Sequence, residues 1–149
     1  MSETSPSPAF VSAVRAISPS PALPIYCPYL KTIEEVLEAA KLGGVGLSIA
    51  CCKEEAERGV AFNISKGSVG SSDFSLEKVN LNDVKHKLTK EPLSRDCSCV
   101  ACKVDEGGRL GHYRAYIHHL IRCEEMLGTI LLMNHNVWQC KKLEEHSAV

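Results

Sequence analysis

Thr32-Ile33-Glu34-Glu35-Val36-Leu37-Glu38-Ala39-Ala40-Lys41-Leu42-Gly43-Gly44-Val45-Gly46-Leu47-Ser48-Ile49-Ala50-Cys51-Cys52 is the stretch that sets the fold class of this chain. Its first four residues form a capping box: the Thr32 hydroxyl can accept a backbone N–H while the Glu35 carboxylate reaches back. Ile33, Val36, Leu37 and Ala40 then recur at helical spacing, and Gly43-Gly44 supplies a stop. Residues 45–52 are a short apolar run, the pattern of a buried parallel strand. Helix, glycine turn and buried strand together are the rhythm of an α/β sheet or barrel.

On the N-terminal side, six of the seven prolines fall in residues 1–28, among serines and alanines, with only Glu3 and Arg15 charged. Such a segment has breakers and few apolar anchors, and it reads as a flexible tail before an ordered domain over residues 29–149. On the C-terminal side, residues 60–64 and 78–81 read as two short strands, with a Gly/Ser loop over residues 67–72 between them. A lysine-rich stretch then leads into a cysteine cluster. From Tyr113 a long helix is expected, because Tyr113, Tyr116, Ile117, Leu120, Ile121, Leu127, Ile130 and Leu131 keep one face apolar. Gly128 interrupts that face, as a point of close packing or at a cost of about 1 kcal/mol.

The chain has 149 residues, 44% hydrophobic and 23% charged, with a net charge of −1, which suits one domain. No apolar run is long enough to span a membrane, and near-neutrality argues against a whole-chain electrostatic grip on nucleic acid. Eight cysteines stand out, because the N-terminus lacks the basic start and apolar stretch of a secretory signal. Metal binding or inert buried thiols are therefore expected in place of a disulfide framework.

Cys97-Ser98-Cys99-Val100-Ala101-Cys102 places three thiols within six residues, close enough to face one zinc ion. Nearby Arg95 and Lys103 favour the thiolate. Zinc in a structural site wants a fourth ligand, and His112, His118, His119, His135, Cys123 and Cys140 are all candidates that spacing does not separate. His118 and His119 are adjacent, and neighbours on a helix point about 100° apart, so at most one of them could bind. Cys51 and Cys52 read as packing thiols, and Cys27, Cys123 and Cys140 as isolated ones. The spacing matches no common ferredoxin run, and the His-x-Glu and Pro-Cys-x-x-Cys strings of zinc deaminases are absent.

Cys97-Ser98-Cys99-x-x-Cys102, Arg114-Ala115-Tyr116-Ile117-His118-His119-Leu120, Glu125-Met126-Leu127-Gly128 and Leu131-Leu132-x-x-His135-Asn136 resemble, in that order, the C-terminal region of queuine/archaeosine tRNA-ribosyltransferases. The resemblance runs over about residues 31–145 and is strongest over 95–138. It implies a TIM-barrel enzyme family that exchanges a guanine base in tRNA for a modified base. It also implies that Cys97, Cys99, Cys102 and His135 hold one structural zinc, in a subdomain over about residues 92–140, with His118 and His119 packing the helix. The fold expected is accordingly α/β: the C-terminal fragment of a TIM (β/α)8 barrel with a zinc subdomain and a long helix. At 149 residues the chain falls short of the roughly 250 such a barrel takes, so the substrate-binding half is expected upstream.

Catalytic members carry an aspartate nucleophile before an Arg-x-Gly-x-Ala-Phe-like strand. Matching that strand to Arg58-Gly59-Val60-Ala61-Phe62 puts Ser48 at the nucleophile's place, with no base in view to activate it. Glu57-Arg58-Gly59 and the extended segment between the two strands are similar to the eukaryotic accessory subunit, a catalytically silent paralogue. No catalytic residue is therefore expected here. The resemblance implies a heterodimer with the catalytic subunit and a role in queuosine modification of tRNA in the cytoplasm, with peripheral mitochondrial association open to it. Residues 104–111 form a polar, glycine-rich insertion relative to the family, which can bulge outward at modest cost. Between Lys85 and Arg122 there are eight Lys/Arg against four Asp/Glu, a local excess that could steer tRNA. Two other readings compete: a small zinc-stabilised binding module, and a truncated isoform with no part in base exchange.

Overall fold

The structure is a computed structural model and describes residues 25–26, 30, 32–41, 45–46, 49–67, 74–109 and 111–147. Strand β1 (Ile25–Tyr26) pairs in parallel with β2 (Val45–Gly46), and helix α1 (Ile33–Lys41) crosses between them. This is a small βαβ unit, and it bears out the α/β reading of the opening stretch. The capping box forms as its residue types require. The Glu35 N–H donates to Thr32 Oγ1 at 3.2 Å, and the Thr32 N–H donates to Glu35 Oε2 at 3.4 Å. Ile33, Val36, Leu37, Ala39 and Ala40 form its buried face. The expected tail lies outside the described residues except for β1.

Two sequence expectations need correction. The apolar run of residues 45–52 is not one strand: among the described residues the strand is Val45–Gly46, and helix α2 (Ala50–Glu57) takes up Cys51 and Cys52. The buried set Cys51, Cys52 and Ala56, with Lys53, Glu54 and Glu57 exposed, has helical and not alternating spacing. The apolar run was too short to separate the two.

The long helix is the second correction, because it is two helices, α3 (Arg114–Arg122) and α4 (Met126–Ser147). A Schellman motif ends α3: the Glu125 N–H donates to Leu120 O at 2.9 Å and the Glu124 N–H to Ile121 O at 3.1 Å. Glu124 takes the left-handed position at φ 56°, where glycine is the usual residue. Gly128 is where α4 turns back against α3. A Cβ there would lie 3.0 Å from Ile121 Cδ1 and 3.1 Å from Leu120 Cβ, so the close-packing expectation holds. The reversal leaves Ile117, Leu120 and Leu131 buried but Tyr113, Tyr116, Leu127 and Ile130 40–53% exposed.

The two expected short strands are present with longer bounds, β3 (Val60–Lys66) and β4 (Phe74–Asn80), and pair as an antiparallel hairpin in register from Val60 opposite Asn80 to Lys66 opposite Phe74. Most of its intervening loop lies outside the described residues. Among the described residues the strands make two separate two-stranded sheets and no barrel. Helix α4 packs across β3 and α2, and its buried stripe is Gly128, Leu131, Leu132, His135, Asn136, Gln139, Cys140 and Leu143. Two apolar cores flank it. One gathers α1, Cys51, Cys52, Phe62, Ile64, Cys140 and Leu143; the other gathers Ala61, Val79, Leu81, Leu93, the cysteine loop, Ile117, Leu120, Leu131 and Leu132. Lys78 of β4 clips the outside, 2.9 Å from Glu34 of α1 and 3.0 Å from Glu55 of α2.

Candidate metal centre

The cysteine loop is a tight turn: Cys99 O accepts N–H groups from Cys102 at 3.0 Å and Lys103 at 2.8 Å. That curl turns Cys97, Cys99 and Cys102 inward, all buried. Two side chains fix the segment leading into it. Arg114 donates through Nε to Pro92 O at 2.8 Å and through Nη2 to Leu93 O at 3.0 Å, and Asn63 Nδ2 donates to Leu93 O at 3.1 Å. Asn134 of α4 accepts the Val100 N–H at 3.3 Å through Oδ1, which docks the loop on the helix.

His135, one residue further along α4, is fully buried and meets all three sulfurs. Its Nδ1 lies 3.6 Å from Cys97 Sγ, 3.5 Å from Cys99 Sγ and 3.5 Å from Cys102 Sγ. The other ring nitrogen decides the tautomer. Nε2 faces Phe62 O at 3.2 Å and Asn63 Oδ1 at 3.1 Å, both acceptors, so Nε2 carries the proton. Asn63 is oriented in turn, since its Nδ2 must donate to Leu93 O and to Glu77 Oε2. Nδ1 therefore presents its lone pair to the thiols, the arrangement a metal-binding imidazole needs.

The four ligand atoms lie within 4.8 Å of one another and could hold one metal ion. The spacing is a quantitative fit. A tetrahedral zinc with Zn–S of about 2.3 Å and Zn–N of about 2.05 Å puts sulfur and nitrogen about 3.55 Å apart. Charge points the same way. Hydrogen bonds from Cys102 and then Cys99 hold the Cys97 thiol far below its usual value, and Cys97 and Cys99 in turn push the Cys102 thiol up.

Of the six candidates for fourth ligand, only His135 reaches the cysteines. His118 is buried and donates from Nδ1 to Leu81 O at 2.6 Å, while His119 is exposed and faces Cys123 Sγ at 3.8 Å. His112 stacks on Tyr116. The insertion does bulge outward: Val104 to Arg109 are exposed, and the Gly111 N–H donates to Lys103 O at 3.0 Å to close its base. Ser48 lies outside the described residues. Cys140 is not isolated as expected; it meets Cys51 and Cys52, with Cys52 Sγ 3.4 Å from Cys140 Sγ. Asn63 and Asn136 were missed. Asn136 accepts the Phe62 N–H at 3.1 Å and donates to Val60 O and Cys52 O, tying α4 to β3 and α2. The His135-Asn136 string offered a signal for Asn136, and nothing in the sequence marked Asn63.

A Cys-x-Cys-x-x-Cys loop closed by a histidine from a following helix puts this chain among proteins with a Cys3His group able to hold one metal ion. The family model for queuine tRNA-ribosyltransferase matches residues 2–146, and the chain belongs to that family. A queuine tRNA-ribosyltransferase of Synechococcus sp. (strain CC9605) is 36% identical over 121 residues, which cover 80% of this chain and 28% of that protein. One from Synechococcus sp. (strain CC9902) is 42% identical over 71 residues, covering 48% and 17%. One from Verminephrobacter eiseniae (strain EF01-2) is 42% identical over 65 residues, covering 40% and 17%. The chain thus spans from about a sixth to little more than a quarter of these relatives' length.

Proposed function

We propose that this chain is the C-terminal, zinc-clasped part of a non-catalytic accessory subunit of a queuine tRNA-ribosyltransferase. It pairs with a catalytic subunit and supports the exchange of guanine for queuine at the wobble position of tRNA. The observation that carries the reading is the Cys97, Cys99, Cys102 and His135 group, whose spacing fits a tetrahedral zinc. Zinc bound there supplies structure and no catalytic water, because three thiolates and an imidazole fill the tetrahedron. The protein's own residues do the rest: the cysteine loop joins α4, and Asn63 and Asn136 join α4 to the hairpin.

Serine at position 48, where the family's nucleophilic aspartate belongs, supports the accessory role over the catalytic one. The hairpin and the βαβ unit are then the last part of a TIM barrel whose other strands lie elsewhere in the protein. Exposed Tyr113, Tyr116, Met126, Leu127 and Ile130 give the zinc subdomain an apolar face for the catalytic subunit. The local excess of Lys and Arg bears on tRNA, although Arg114 turns inward to Pro92 O and Leu93 O, and Arg95 pairs with Glu91 at 3.1 Å. Under this reading the protein works in the cytoplasm. Among the described residues no helix is long and apolar enough to cross a membrane.

Coexpression with the catalytic subunit tests the proposal. Copurification of the two chains, with one zinc per copy of this one, is the expected result. Zinc retained without association would favour an independent zinc-stabilised binding module. Base exchange by this chain alone would restore the catalytic reading.

A further inference from the structure

Cys51 and Cys52 in the first turn of α2 and Cys140 in α4 form a second sulfur cluster, separate from the first. Their three Sγ atoms lie within 4.8 Å of one another, and Cys52 Sγ is 3.4 Å from Cys140 Sγ across 88 residues of sequence. Exposure of the three is 3% or less. Their surroundings are Leu30, Ile33, Val36, Phe62 and Leu143. Packing alone needs no convergence of sulfurs, and neighbours on a helix point about 100° apart, yet both vicinal thiols approach Cys140. We propose that Cys51, Cys52 and Cys140 are a metal site of their own, taking one copper(I) ion through sulfur alone.

The choice of ion follows from the donors. Thiolates select soft metals: copper(I), zinc and iron–sulfur clusters. Structural zinc and iron–sulfur clusters take four protein ligands, and among the described residues this group has three and no histidine or carboxylate. Hard cations such as magnesium keep bound water, for which an apolar wall offers no partners. Copper(I) carries a single charge and accepts low coordination. Bound by two thiolates and one thiol, it releases two protons and leaves a net charge of one minus.

The test uses the full chain, zinc-loaded, titrated anaerobically with copper(I) buffered by bathocuproine disulfonate. Uptake of one copper per chain with zinc retained is expected, together with a thiolate-to-copper ultraviolet band. X-ray absorption of the unmutated protein should show a shell of sulfur and no nitrogen. Cys140→Ser and Cys51→Ala should each lose the uptake, while Cys123→Ser, which alters an exposed thiol, keeps it; zinc content and circular dichroism report whether each variant folds. No uptake would overturn the proposal. So would copper that displaces zinc one for one and shows a nitrogen ligand, which places it at His135. Zinc binding at two per chain, reduced to one by Cys140→Ser, would also overturn it, because the second site would then take zinc.

Discussion

Two groups of thiols sit on the same helix, five residues apart: His135 closes one around the Cys97–Cys102 loop, and Cys140 belongs to the other. Both are buried, and each lies in one of the two cores flanking α4. What separates them is the second layer of polar contacts. Around the first, Asn63, Phe62 O, Asn134 and Arg114 fix the imidazole and the loop in one geometry. Around the second, the core side chains are aliphatic or aromatic, and Asn136 donates to the backbone O of Cys52. Proximity of sulfurs makes a site able to bind; hydrogen bonds to the ligands make it selective and part of the fold.

The comparison breaks most visibly on metal removal. Chelating zinc, or His135→Ala, should loosen residues 95–140, because structural zinc contributes about 10–16 kcal/mol in finger peptides against a domain's net stability of about 5–15 kcal/mol. The expected readout is rapid proteolysis in that segment and loss of helix signal; unchanged cleavage and helix content would sink the idea. Asn63→Leu leaves all four ligands in place but removes the acceptor on His135 Nε2. A fall in zinc affinity of about 10–100-fold is expected by competition with a zinc chelator, since outer-layer partners carry about that much. An unaltered affinity would mean that Phe62 O alone orients the ring.

Gly128→Val forces α3 and α4 apart and should cost about 1–3 kcal/mol in urea unfolding. Glu124→Gly should work the other way, raising stability by about 0.5–1 kcal/mol, because a non-glycine residue in the left-handed region is strained by about 1–2 kcal/mol and glycine returns part of that in entropy. The smallest effect belongs to Lys78→Met, about 0.5–1 kcal/mol, since its pairs are partly exposed. Lys78 holds the Glu34 carboxyl below its usual value of 4.5. A depressed carboxyl stabilises the fold above its unfolded pKa, so the difference between Lys78→Met and the parent should shrink as pH falls below about 4.5. A difference independent of pH would place the contribution in packing.

Much of this was legible from residue types. The capping box, the two short strands and the three clustered cysteines could be read because each depends on local spacing. His135 was not separable from five other candidates by spacing; the resemblance picked it out, and the fold brings it to the sulfurs. Asn63, Asn136 and Gln139 stayed hidden because buried polar residues carry no hydrophobic periodicity, and Asn136 and Gln139 make the inner stripe of α4 look weaker than it is. The break at Glu124 was hidden for another reason, since the left-handed residue that ends α3 is not glycine. Cys51 and Cys52 misled because a short apolar run suits a strand or a helix start equally.

The outward loop of residues 104–111 leaves the cysteine turn and returns to α3 through one closed gate, the Gly111 N–H on Lys103 O, with Asp105 Oδ1 accepting from Gly107 and Arg109 inside it. Its length is therefore insulated from the ligands on either side. A fluorophore or affinity tag carried at Glu106, an exposed residue of that loop, would mark the protein from solvent without entering either core or disturbing the ligands.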